Sequence, residues 1–396
     1  MNKPLPVSTA SPLDLHHSAL VIDTHVDTPQ RFLDPTPTHA ATSWDFTGPL
    51  HGGHLSLEAA RQGNLSAAFF ALWPEPTQWR GNYAQRTHDL LDGVLRQIQQ
   101  HPESLALCTS PADILAARTQ HKFAILLGIE GGHALENSLD NLRLFHQRGV
   151  RYLTLTWSNS NDWAESSGDL RTPTSATRPG LTPFGRDIIR ELNRLGIIID
   201  VSHASDATLA DVLRTTTAPI LATHSSARAL AHSPRNLTDD QLRAIAANYG
   251  AVMVNFFPAF IDEAWRQAWI DQRPRRHLAH QALADQYAAR NQPIPFSASN
   301  HIDRTFANLI PRAPFASLID HIDHVARIAG IDHVGLGSDF DGIPSTPEGI
   351  DSAADLPKIT VALAARGYSS TDLQKILGGN LLRVFREVQI TAQNHP

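Results

Sequence analysis

The sequence has one cysteine, Cys108. An intrachain disulfide is therefore excluded, and so is a metal held by thiolates: any ion must be taken by histidines and carboxylates. Cys108 ends the apolar stretch Leu-Ala-Leu-Cys and reads as a small core residue. A lone cysteine suits a reducing compartment. No apolar run approaches the ~18 residues a membrane-spanning helix needs. The first twenty residues, MNKPLPVSTASPLDLHHSAL, carry Lys3 but no apolar stretch of the secretory kind. The polar ending ITAQNHP has no lipid-anchor signature. Charge is unremarkable as well, at −6 with no block of one sign. The single basic run, Arg273-Pro274-Arg275-Arg276, is short and reads as a solvated loop. Phosphate recognition needs a clustered basic face, so nucleic acid is not an expected partner. Neither a G-x-G-x-x-G fingerprint nor a P-loop occurs. A cytoplasmic protein without a membrane partner is the expectation.

What the 396 residues do contain is rhythm and histidine. Eight short apolar runs recur: Ala19–Thr24, Ser66–Leu72, Phe123–Ile129, Tyr152–Thr156, Gly196–Val201, Pro219–Thr223, Ala251–Phe256 and His333–Gly337. Such runs read as buried strands. Helical segments lie between most of them. Thr182-Pro183 offers an N-cap followed by proline at the first helical position, with Gly196 as the stop. Thr238 and Gln241 are spaced as a capping box. Ser317 precedes a further amphipathic stretch that Gly330 ends. Eight strands alternating with helices predict an α/β fold of the (β/α)8 TIM-barrel type, with residues 1–396 as one domain. Residues 257–316 break the rhythm. They are read as an insertion after strand seven, with a helix from Asp262 to about Arg290, suited to a lid or a contact in a homodimer.

The chemistry sits where the strands stop. His25, Asp27, Glu130, His203, His224 and Asp339 each close an apolar run. In an extended chain, His25 and Asp27 project the same way and can reach one ion. Glu130 follows Ala-Ile-Leu-Leu-Gly-Ile. A carboxylate so placed needs a partner or a metal, and its two oxygens can bridge two ions. His203 and His224 end neighbouring strands and can share an ion. Asp200 stands close behind His203, but strand alternation makes it a poor partner for that ring. Asp339, at the end of the last strand, is placed to act on the proton of an attacking water. Asp341 reads as a turn residue before Gly342. With 21 histidines, some lie near any site by chance. His321 and His324 are expected on an exposed helix face, while His54 is a minor candidate for substrate contact.

Together, the motifs DTHVD, GGHLSL, GIEGGH, LTLTW, GLTPFGRDIIRELNRLGIIIDVSH, THSSARAL, PRN and VGLGSDFDG resemble the renal or membrane dipeptidase family over nearly the whole chain. The resemblance implies a (β/α)8 barrel with two zinc ions that hydrolyses dipeptides, L,D pairs among them. It places His25 and Asp27 on one zinc, His203 and His224 on the other, and Glu130 between them. A metal-bridged hydroxide would attack the peptide carbonyl, Asp339 would handle the proton, and Arg235 of Ser-Pro-Arg-Asn would contact substrate. One position departs. Many members carry histidine after the LTLT strand, to bind substrate and stabilise the oxyanion, whereas this chain has Trp157. Tryptophan donates one N–H and cannot become cationic, which leaves zinc alone to polarise the carbonyl, another histidine such as His133 to fill in, or a different substrate. Two other readings stay open at this stage: a related amidohydrolase acting on N-acyl amino acids, lactams or lactones, and a metal-binding barrel without catalysis.

Overall fold

The computed structural model describes residues 11–34, 44–168 and 180–394. The first ten residues, Lys3 among them, lie outside these ranges. Nine parallel strands form one sheet: β1 Val21–Val26, β2 Leu65–Leu72, β3 Leu105–Leu107, β4 Phe123–Glu130, β5 Val150–Thr154, β6 Ile198–Asp200, β7 Leu221–Ala222, β8 Ala251–Val254 and β9 Val334–Leu336. Eight of them follow in the order β1-β2-β4-β5-β6-β7-β8-β9, while β3 pairs with β4 outside that path. The eight expected strands are all present, with their ends shifted by a residue or two. The seam between β9 and β1 closes just past the strand ends. Asp27 donates its N–H to the Phe340 carbonyl at 2.8 Å, and Asp339 donates its N–H to the His25 carbonyl at 3.0 Å. The result is a nearly closed (β/α)8 barrel.

Both faces of the strands are buried, which is why they read as continuous apolar runs rather than as an alternation. Ala67, Phe69, Ala124, Leu126, Ile198, Leu221 and Met253 fill the interior together with Tyr152. The C-terminal helix Asn380–Gln393 brings Phe385 against Phe69, ring centroids 6.2 Å apart. The intervening residues Ala68, Phe70, Ile125 and Leu127 face outward into the core under the surrounding helices.

Two helices start at the residues the sequence marks, whereas the helix expected to follow Ser317 begins earlier, at Phe315 after Pro314. Thr182 caps Pro183–Leu195, which Gly196 ends in the left-handed conformation. Thr238 and Gln241 form the capping box of Asp239–Ala247. Helix Phe315–Ala329 corrects another expectation, because His321 and His324 are buried. His321 accepts the Ala227 N–H at 3.0 Å, and His324 lies 2.7 Å from Asp239, so both rings fasten this helix to its neighbours. The insertion corrects two more. The single helix expected over Asp262 to Arg290 is split into Glu263–Asp271 and Arg273–Ala288. Pro274 lacks an N–H and fits only a first turn, so the chain restarts there. The run Arg273–Arg276 is therefore helical: Arg273 and Arg275 are exposed, and Arg276 stacks 3.4 Å over Trp269. A further helix, Phe296–Ala307, leans on the C-terminal face of the barrel. Its Phe296 N–H reaches Asp34 at 2.9 Å, and Asn300 donates to the Asp341 carbonyl at 3.2 Å. Among the described residues, no helix is long and apolar enough to cross a membrane.

Candidate active site

Strand register builds the site. Glu130 pairs with Thr154, and Thr154 with Asp200, so the last residues of β4, β5 and β6 stand in one row. The chain beyond each strand end then carries a ligand-type side chain inward. The structure brings all six strand-end residues together. Glu130 Oε1 is 2.9 Å from His203 Nε2 and 3.3 Å from His224 Nε2, and those two nitrogens are 3.1 Å apart. Glu130 Oε2 is 3.6 Å from His25 Nε2, which is 3.5 Å from Asp27 Oδ2. Two groups have the geometry to hold an ion: His25, Glu130 and His224, and His25, Asp27 and Asp339. Donors about 2.0–2.1 Å from a tetrahedral ion stand roughly 3.3 Å from one another, and the separations here cluster around that edge. His25 Nε2 is buried without a hydrogen-bond partner among the described residues, as a ligand nitrogen should be.

A surrounding layer orients these groups. The Tyr152 hydroxyl lies 2.9 Å from His25 Nδ1. Gly128 makes that reach available, since a Cβ there would stand 2.0 Å from the tyrosine ring. Asp339 takes a left-handed φ of 64°, uncommon outside glycine, and its Oδ2 accepts from Asn255 at 2.9 Å. Gly342 lets Asp27 and Asp339 converge: a Cβ would lie 2.0 Å from Asp27 Oδ2 and 2.6 Å from Asp339 Oδ1. Asp341 occupies the turn expected of it, yet it is buried. It accepts from the Thr28 hydroxyl at 2.8 Å and the His54 N–H at 2.7 Å. His54 in turn accepts the Asp341 N–H at 2.9 Å, so its ring is engaged in holding this turn. Asp200 does not contact His203; its hydrogen bonds go to Thr154, Ser202 and Thr223.

Arg235 and Trp157 border the cluster. Arg235 is buried and donates to Ser225 Oγ at 2.8 Å and to the His224 carbonyl at 2.9 Å. Trp157 packs on Trp73 at 4.8 Å between ring centroids and lies 6.2 Å from the His203 ring. His133 has its Nε2 engaged with the Pro74 carbonyl at 2.8 Å.

The electrostatics are those of crowded, dry charge. Burial raises the pKa of Asp27 and of Asp339, and the Glu130 carboxylate pushes both further the same way. Burial also works against a charged Glu130, but the imidazoles crowded around it, His25 foremost, outweigh that and hold the group well below the usual range. Burial and the nearby Arg235 drive His203 down to about 3. Three carboxylates sharing one water-poor space call for cations to balance them.

Sequence reading missed Tyr152, Asn255 and Gly342. Asn255 carried a usable signal, because it follows β8 in Val-Asn-Phe-Phe just as the ligand-type residues follow their strands. Tyr152 sits within a strand and gave none.

A barrel with histidines and carboxylates gathered at the strand ends defines a class of hydrolases. The chain belongs to the membrane dipeptidase family, peptidase family M19, whose family model matches residues 10–396. It is similar to dipeptidase tcpJ of Claviceps purpurea, with 30% identity over 348 residues, covering 86% of this chain and 70% of that protein. Among solved structures it is similar to the probable dipeptidase PvdM of Pseudomonas aeruginosa. That match has a TM-score of 0.78 at 28% identity and covers 96% of this chain and 98% of the other. The metallo peptidase dipeptidase AC, also of family M19, gives 0.72 at 26% identity over 94% of this chain and 99% of its own. The protein is thus a hydrolase of the dipeptidase class.

Proposed function

We propose that the chain is a zinc-dependent enzyme that hydrolyses free dipeptides, L,D pairs included. In this reading His25 and Asp27 hold one ion, His203 and His224 hold the second, and Glu130 is shared. The observation that carries it is the division of Glu130, with Oε1 beside His203 and His224 and Oε2 beside His25. Two divalent ions bound there would supply an acidified water and a Lewis-acid contact for the peptide carbonyl. The chain's own residues do the rest. Asp339, held by Asn255, takes the proton of the attacking water and returns it to the leaving amine. Arg235 is fixed to the backbone beside His224 and takes the free carboxylate of the substrate by charge-assisted hydrogen bonds. Trp157, against Trp73 and facing His203, forms an apolar wall of the pocket.

Amino-acid release from L,L and L,D dipeptides and their N-acetylated copies, with zinc-loaded protein, tests this reading. Free dipeptides are expected to be cleaved and acetylated ones spared. Cleavage of the acetylated set alone would move the assignment to N-acyl amino acids. Silence on both, with metal bound, would favour a binding protein. Trp157→His in the same panel is expected to raise turnover of ordinary dipeptides by up to roughly 10²–10³-fold, the usual worth of an oxyanion donor. An unchanged rate would show that the site manages without a histidine there.

A further inference from the structure

Asp200 is fully buried at the end of β6, and no positive side chain pairs with it among its hydrogen-bond partners. Its Oδ1 accepts the backbone N–H of Ser202 at 3.0 Å and of Thr223 at 2.8 Å. Its Oδ2 accepts the hydroxyls of Thr154 at 2.6 Å and Thr223 at 2.7 Å. A carboxylate has no hydrogen to give, so the single hydroxyl proton of Thr223 is committed to Asp200. Only lone pairs of Thr223 Oγ1 then face His224 Nδ1, 2.8 Å away. For that contact to be a hydrogen bond, His224 must carry its proton on Nδ1. The lone pair of the neutral ring is left on Nε2, the atom that stands 3.3 Å from Glu130 Oε1.

We infer that Asp200, acting through Thr223, is a positioning residue that fixes the tautomer and orientation of His224 and so prepares Nε2 for an ion. The inference rests on the reading of His224 as a metal ligand. The chain of contacts is a carboxylate–hydroxyl–histidine relay, a longer form of the carboxylate–histidine pairing that orients metal-bound imidazoles. His203, by contrast, has no partner for its Nδ1 among the described residues, so nothing comparable sets its tautomer. The row Glu130–Thr154–Asp200 explains why the relay is built there: register alone places the acceptor one strand from the hydroxyls it needs.

The test uses the full chain in three variants. Thr223→Val keeps the shape and removes the hydroxyl, Thr223→Ser keeps the hydroxyl, and Asp200→Asn lets an amide donate to Thr223 and reverse the relay. Long-range proton–nitrogen spectra of the metal-free protein, with His224 assigned through His224→Gln, read the ring tautomer. Parent and Thr223→Ser are expected to show the Nδ1–H form, while Thr223→Val and Asp200→Asn lose it. Zinc affinity measured against a competing chelator is expected to weaken by about 10–100-fold in Thr223→Val and Asp200→Asn, the usual effect of losing an outer partner, and to stay at the parental level in Thr223→Ser. Should Asp200→Asn fail to fold, the Val and Ser pair still decides. An Nε2–H ring in the parent, or unchanged tautomer and affinity in Thr223→Val, would overturn the inference. A parent that shows the Nδ1–H ring yet binds no zinc would instead overturn the metal reading and leave the relay standing.

Discussion

Glu130→Ala is expected to lose bound metal and dipeptide turnover together. Glu130 stands with one oxygen beside His203 and His224 and the other beside His25, so its carboxylate reaches both histidine sets. Its removal leaves His203 and His224 as two neutral donors and His25 with Asp27 as a second incomplete set. Neither set closes a four-coordinate site. The rate is expected to fall by more than the roughly 10²–10³-fold that loss of a single electrostatic stabiliser brings, because the whole set of stabilisers goes with it. Elemental analysis of purified variant and parent gives the metal stoichiometry, and circular dichroism establishes that the barrel has formed. The fold is expected to persist, since closure at the β9–β1 seam is made by backbone groups of Asp27, Asp339, His25 and Phe340. Two ions still bound to a folded Glu130→Ala protein would show that Glu130 is not the shared ligand.

The contrast between what could and could not be read beforehand has a physical origin. Strands buried on both faces announce themselves as apolar runs, and a polar residue directly after such a run is visible because burying it demands a partner. Glu130, His203 and His224 are legible in the sequence for this reason. Partners across strands leave no such mark. Asp200 looked idle because its period within β6 says nothing about Thr223, which register brings beside it. Tyr152 looked like interior filling, which it is, and its hydroxyl reaches His25 only because Gly128 on the next strand leaves room. Strand β3, Leu105–Leu107, was invisible as a strand because three residues at the margin of the sheet are too few to show a pattern. His321 and His324 failed for the opposite reason. Composition marks histidine as a surface residue on a helix, yet here tertiary hydrogen bonds to Ala227 and Asp239 make burial affordable.

Asp339→Asn is the second variant with a large expected effect, and it separates proton handling from metal binding. The substitution keeps shape and volume. The new amide can direct its oxygen toward Asn255, so the contact now made at 2.9 Å survives, as does the left-handed backbone that asparagine tolerates well. What disappears is the ability to accept a proton. Positioned acid–base groups contribute about 10²–10⁴-fold, and a loss in that range is expected in kcat with little change in KM. Metal content is expected to stay at the parental value, because Asp339 lies outside the two sets that divide Glu130. The alternative is concrete: Asp339 also stands with His25 and Asp27 in a group able to hold an ion. Were Asp339 a ligand, the amide would weaken that site, and stoichiometry would fall in step with turnover. Measuring both on one preparation therefore distinguishes the roles. A variant with full metal and crippled kcat assigns the proton to Asp339; loss of one ion makes it a ligand; full activity removes it from the chemistry.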